Sequence, residues 1–203
     1  MRIICALAAI AIAAGCRKSD DAGRRSDSSV APPVSVDTAP DAATLDCGVT
    51  GKPILADDGV GELKVGVTVA AVKQACEVMS DSEEPGSEGM KERVVVARVG
   101  GESVRAVVTS DRVWRVEITS PRILTSDSLG VDTPLHVIAI RRGARFFPGE
   151  DGVYGFVADH CGLSFRFSVP LRPPRGSDWT AQAIDKAHGD AAVNKVLVTQ
   201  CQR

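Results

Sequence analysis

The stretch that most limits what this chain can fold into is its beginning, because its composition is expected to withdraw residues 1–45 from any packed core. Arg2 is followed by Ile3 to Gly15 without a single charge, and then by Cys16. A basic start, an apolar run of roughly 7–15 residues and small residues at its end describe a secretory signal peptide. The run is too short to cross a bilayer as a mature helix, which needs about 20 apolar residues. The expectation is a leader over residues 1–15 and export of the remainder to an oxidising compartment.

Ala13-Ala14-Gly15-Cys16 resembles the lipobox of bacterial lipoproteins, in which small residues precede a lipid-bearing cysteine, with Ala13 standing where that family usually has Leu. The resemblance implies cleavage before Cys16 and an acyl anchor on it; several acyl chains together hold a protein stably on a membrane. The alternative is ordinary cleavage near Ala14, with Cys16 a spare thiol. Arg17 follows where Asp would resemble the inner-membrane retention signal of enteric lipoproteins. The expected location is therefore the cell envelope, at the outer membrane rather than the inner one.

Residues 16–45 are expected to form a lipidated, disordered tether. From Arg17 to Thr44 they contain no aromatic residue and are rich in Ser, Asp, Ala and Pro, a composition that buries too little apolar surface to offset the entropy of ordering. Four basic and five acidic residues nearly cancel there, so this is no polybasic arm. Losing Arg2 from 24 basic residues leaves 23 against 26 acidic ones, a net charge of −3 in place of −2. That balance speaks against nucleic acid as a partner, whose footprint is a basic patch.

Residues 46–203 fit one domain. With Cys5 in the leader and Cys16 acylated, Cys47, Cys76, Cys161 and Cys201 remain. An even set in an exported chain implies disulfides, and four cysteines allow three pairings. Cys47–Cys76 with Cys161–Cys201 is favoured, because each bond then stays within one half of the domain. No C-x-x-C occurs, which disfavours a metal site or a redox pair. All eight aromatic residues lie at Trp114 or later, so the first half must build its core from Val, Ala, Leu and Ile.

The two halves repeat one scheme loosely. Thr68 is a fitting N-cap for a helix whose Val69, Val72 and Cys76 share a face. Thr133 would cap a second helix, with Pro134 at its first position and Leu135, Ile138 and Ala139 on one face. Strands are predicted over Glu92–Val99, Ser103–Thr109 and Val113–Thr119. The last alternates Trp114, Val116 and Ile118 against Arg115, Glu117 and Thr119, as in an antiparallel sheet with one face on a core and one in water. Val153–Ala158, Leu163–Val169 and Lys195–Cys201 complete the second set. An inserted helix near Trp179–Lys186 is capped by Ser177 or Asp178. The expected class is α+β: two similar units, about 61–120 and 121–203, each a short helix followed by a three-stranded meander, with a helical insertion in the second.

This layout, with its G-x-T helix opening, resembles small outer-membrane assembly lipoproteins of the SmpA/OmlA type and, in tandem, the β-lactamase-inhibitor proteins. The resemblance implies a role in binding proteins through sheet surfaces or loops, without catalytic residues; it is an analogy of fold.

The chemistry-bearing residues agree with that expectation. His136, His160 and His188 have no helical or strand-spaced partner and read as surface or capping residues. No H-E-x-x-H, nucleophile elbow, phosphate loop or dinucleotide fingerprint occurs, and no metal or cofactor is expected. Asp81 to Glu88 holds four carboxylates in a spacing unlike any calcium loop and reads as a solvated loop. Arg141, Arg142 and Arg145 cluster at a helix C-terminus, where cations favour the dipole or could meet an anionic partner. Arg105, Arg115 and Glu117 are expected on the outward sheet face, as a surface for another envelope protein. A small-molecule or cell-wall-polymer binder, and an envelope enzyme without recognisable motifs, are the alternatives.

Overall fold

A computed structural model describes residues 45–86, 89–149, 151–170 and 179–201. The expected leader, Cys16 and the tether up to residue 44 lie outside the described residues, as do Ser87, Glu88, Ser177 and Asp178.

Hydrophobic alternation produces strands close to where it predicts them: β5 (Lys91–Val99), β6 (Glu102–Thr109), β7 (Arg112–Ile118), β9 (Val153–Phe156), β10 (Leu163–Phe167) and β11 (Val193–Val198). Gly100 and Gly101 turn β5 into β6 with φ of 59° and 80°. Positive φ at both central residues matches the right-handed twist of a hairpin. Ser110 and Asp111 do the same between β6 and β7, at 51° and 60°, without glycine's freedom.

The class is α+β, but the two three-stranded meanders are not what forms. Two further strands, β4 (Val78–Pro85) and β8 (Arg145–Pro148), join the predicted ones in a single antiparallel sheet of eight, ordered β4-β5-β6-β7-β11-β10-β9-β8. The halves meet where Val196 pairs with Ile118 and Val198 with Val116. Separate meanders would each leave an inner edge of unpaired N–H and C=O groups; pairing β7 with β11 removes both edges at once. Asp81 to Pro85 are therefore not loop. They lie in β4, in register with β5 as far as Pro85 opposite Lys91. Three short strands, β1 (Leu55–Ala56), β2 (Gly59–Val60) and β3 (Leu63–Lys64), form a small second sheet that alternation does not announce.

Helices α1 (Val69–Ala75), α2 (Leu135–Ala139) and α3 (Ala181–His188) contribute apolar stripes to the core. The Thr68 hydroxyl accepts from the Ala71 amide at 3.2 Å, the expected cap. Thr133 caps nothing: its hydroxyl accepts from the Gly130 amide at 2.9 Å, closing the turn before α2, and Pro134 takes the cap position. Thr180 caps α3 in place of Ser177 or Asp178.

The core lies on one face of the large sheet. Val95, Ala97, Val104, Ala106, Val116 and Ile118 line it in the first half; Phe146, Leu163, Phe165 and Phe167 line it in the second. Val69, Val72, Leu135, Ile138 and Ile184 of the helices, with Leu55, Val60 and Leu63 of the small sheet, belong to the same cluster. Each such side chain contributes roughly 1.5–3 kcal/mol on burial. Trp114 departs from the predicted inward face. A bulge between Val107 and Val108 sets the register so that Val113 takes the core position, and Trp114 is left exposed.

Both expected disulfides are present. Cys47–Cys76 ties the segment before β1 to the end of α1. Cys161–Cys201 ties the β9–β10 turn to the end of β11. The β1–β2 turn lies against that same region, where a methyl group on Gly162 would overlap the Asp57 carbonyl.

Candidate functional site

The other face of the large sheet carries charge at its centre. Because β-strand side chains alternate, residues opposite the core set must share this face: Glu84 on β4, Glu92 on β5, Arg105 on β6, Arg115 and Glu117 on β7, Lys195 on β11 and Arg166 on β10. The strand order sets them side by side. Arg105 donates to Glu117 at 2.8 Å and to Glu84 at 3.1 Å. Arg115 reaches Glu117 at 2.9 Å and Glu92 at 3.4 Å. Lys195 touches Glu117 at 3.5 Å. Arg166 pairs with Asp151 at 2.9 Å and donates to Asn194 at the same distance.

Glu117 is the hub, and it is buried, with 5% of its surface exposed. Burial alone would raise its carboxyl pKa, but the charges of Lys195, Arg105 and Arg115 outweigh that and hold it below the usual range. Burial likewise works against Arg105, yet Glu117 and Glu84 keep its guanidinium even more firmly protonated. Beside the hub, Tyr154 donates its hydroxyl to Asp151 at 2.5 Å. Burial, then that carboxylate, push the Tyr154 hydroxyl up to about 12. Asp151 is itself lowered: burial opposes ionisation, but the bonds from Tyr154 and Arg166 prevail.

These groups surround a cleft of about 560 Å³ with Arg115 and Glu117 on one side of the seam between the halves, Lys195 and Leu197 on the other, and Asp151 and Tyr154 at its wall. Its volume lies within the range of small-ligand sites. Farther out on the same face, Phe147 packs edge-on to Phe156 at 5.7 Å and is half exposed.

The three residues expected on an outward face, Arg105, Arg115 and Glu117, do share it, and both arginines contact Glu117. They are not freely in water, however. Their environment is a network closed by three residues that alternation in a single strand cannot reveal: Glu84, Glu92 and Lys195. The available signal was the matched polarity of Glu84 and Lys195 with the β6–β7 charges, and it needs the strand order to be read.

The histidines divide. His136 is exposed, with its Nδ1 3.1 Å from the Gly189 carbonyl, and His188 ends α3. His160 is neither a cap nor a free surface group. Its Nδ1 lies 3.0 Å from Asp57 and its Nε2 3.0 Å from Asp127, linking the β1–β2 turn to the loop before α2. Burial raises the cost of ionising Asp127, but bonds from Thr125 and His160 hold it low. Arg141 extends this bridge with an ion pair to Asp127 at 2.9 Å, while Arg145 lies in β8; the arginines thus serve no common helix end. The acidic run is matched in the same way. Asp81 accepts from Arg93 and Lys73, and these bonds pull its carboxyl far below the usual range. Among the described residues, no group of three or more His, Cys, Asp or Glu side chains is placed to hold a metal ion.

No family model matches the chain, and no curated protein matches it. Among solved structures, its fold is similar to that of the uncharacterized protein yfeY from Escherichia coli. That crystal structure aligns with a TM-score of 0.53 at 15% identity, over 72% of this chain and 99% of the other. The likeness extends to the fold alone.

Proposed function

We propose that this protein is an exported, lipid-anchored envelope protein that acts by binding rather than by catalysis, through the sheet face turned away from its helices. The observation that carries the reading is the preformed state of that face. Its central side chains are held by mutual ion pairs, with the half-exposed Phe147 and its ring partner Phe156 beside them. A surface ordered in advance forfeits less side-chain entropy on association. Aromatic anchors flanked by polar groups are where binding energy concentrates in protein interfaces. The apolar run ending at Ala13-Ala14-Gly15-Cys16 supports the anchor, and the pair of disulfides suits an oxidising compartment.

Crosslinking and pull-down from intact envelopes, with the mature lipoprotein as bait, tests the surface. Phe147→Ala should fold as the parent does, because the side chain is half exposed, yet capture its partner poorly. Undiminished capture would remove this face from consideration. A purified domain that turned over a substrate, with a single substitution abolishing turnover, would overturn the non-catalytic reading. Mass spectrometry of the membrane form should place a diacylglycerol on Cys16, and Cys16→Ser should release the protein from the membrane fraction.

A further inference from the structure

The cleft at the seam has a hydrogen-bonding imbalance that identifies what it can hold. Each carboxylate oxygen of Glu117 and Asp151 already has a partner. One oxygen of Glu117 takes Arg115, and the other takes both Arg105 and Lys195. Asp151 takes Tyr154 on one carboxylate oxygen, and its other oxygen and its carbonyl face Arg166. The donors are not used up. An ammonium carries three N–H groups and a guanidinium five. Among the described residues, Lys195 has one side-chain contact, the long one to the shared Glu117. Arg115 makes both of its ion pairs through Nη2.

The arrangement of charge points the same way. Lys195 lies directly opposite Arg166 in the β10–β11 ladder. Like charges in that position repel. Each arginine on this face has a carboxylate besides Glu117 or apart from it: Glu84 for Arg105, Glu92 for Arg115 and Asp151 for Arg166. Among the described residues, Lys195 has only the Glu117 carboxylate that Arg105 and Arg115 already share. A ligand group supplying acceptor oxygens and negative charge would complete this set.

We infer that the cleft between β7 and β11 is a binding site for an oxyanion, a carboxylate or phosphate group of a small ligand, seated on Lys195 and Arg115. The proposal rests on the reading of this face as a binding surface and gives it a ligand chemistry. Leu197 on the cleft wall adds an apolar contact for whatever carries the charged group, and Trp114 supplies a reporter, since the Arg115 guanidinium stacks 4.7 Å from its ring centre.

Titration of the mature chain with inorganic phosphate and, separately, with succinate tests it, followed by calorimetry and by tryptophan fluorescence. Saturable binding of at least one probe is expected. Lys195→Gln should weaken it about tenfold or more, as expected for loss of a charge-assisted bond, and Lys195→Arg should retain it. Phosphate without succinate would identify a phosphate ester as the natural group, and the reverse a carboxylate. The proposal is overturned if neither probe saturates by about 10 mM, a limit corresponding to very weak affinity, or if Lys195→Gln, verified as folded by its melting curve, binds as the parent does. Oxyanion binding with unimpaired partner capture by Phe147→Ala would sink the protein-docking face and leave this site standing.

Discussion

Replacing Glu117 separates the two ways of regarding the open sheet face. Were it a solvated polar surface, a substitution there would change stability by no more than about 0.5 kcal/mol. In the structure, the carboxylate is buried among Arg105, Arg115 and Lys195, whose side chains are themselves 17–29% exposed. Removing one member of a buried ionic group costs about 3–5 kcal/mol, because the remaining charges stay behind without compensation. The partial exposure of the three cations lets water recover some of that, so about 2–4 kcal/mol is expected for Glu117→Ala.

Glu117→Gln keeps the shape and one acceptor oxygen but not the charge, and should cost less, about 1–2 kcal/mol. For a domain of this size, each kcal/mol corresponds to roughly 2–4 °C in melting temperature. Glu117→Ala should thus melt about 4–16 °C below the parent, and Glu117→Gln between the two. Thermal and urea unfolding with both disulfides intact would measure this. An Arg105→Met, Glu117→Gln double-mutant cycle would show whether the two side chains act as a unit. Loss of less than about 0.5 kcal/mol in both single variants would refute the hub and return Glu117 to the solvated surface.

Acid should act through the same carboxylates. Glu117, Asp127 and Asp151 have folded-state pKa values below their unfolded ones, so their contribution is fully present above about pH 5 and is lost as pH falls through the folded values. Unfolding free energy should decline below about pH 5, less steeply in Glu117→Gln, as urea melts across roughly pH 2–7 would measure. Replacing both cysteines of either disulfide by serine should cost roughly 3–4 kcal/mol for loops of 29 and 40 residues, read as a lower urea midpoint. Ser110→Gly should raise stability by about 0.5 kcal/mol, because Ser110 holds a left-handed conformation at φ 51° and glycine's greater unfolded entropy cancels only part of the relief; equilibrium unfolding that showed a loss would point to a side-chain role for Ser110.

Local order was largely legible from residue pattern. The period-two runs of β5, β6, β7 and β10, the Thr68 cap and the disulfide pairing follow from short-range chemistry or from keeping each bond within one half. What escaped was written in charge or in very short segments. β4 has little apolar alternation, since Asp81, Glu83 and Glu84 meet Arg93, Lys91 and Arg105 across the strands instead of a core. The strands of the small sheet are two residues each, below the length at which a period shows. Trp114 was misplaced because one bulge interrupts the alternation of β7.

The candidate site was harder to read for a deeper reason. Alternation states which side chains share a face of one strand and says nothing about which strand lies beside it. Arg115 and Glu117 look the same in sequence whether β7 is an edge strand, with its outer face washed by water, or a central one. The β7–β11 pairing makes it central, and the same pairing joins the two valine- and phenylalanine-lined faces into one core. Burial of Glu117 therefore depends on closure of the core on the opposite face. Apolar contact between the halves brings Lys195 to Glu117, and the ion pairs that result can in turn favour this register over a slipped one, because a shift of one residue would turn Lys195 toward the core and Val196 toward the charges. A site built on the seam is thus invisible to any reading that treats the two halves separately.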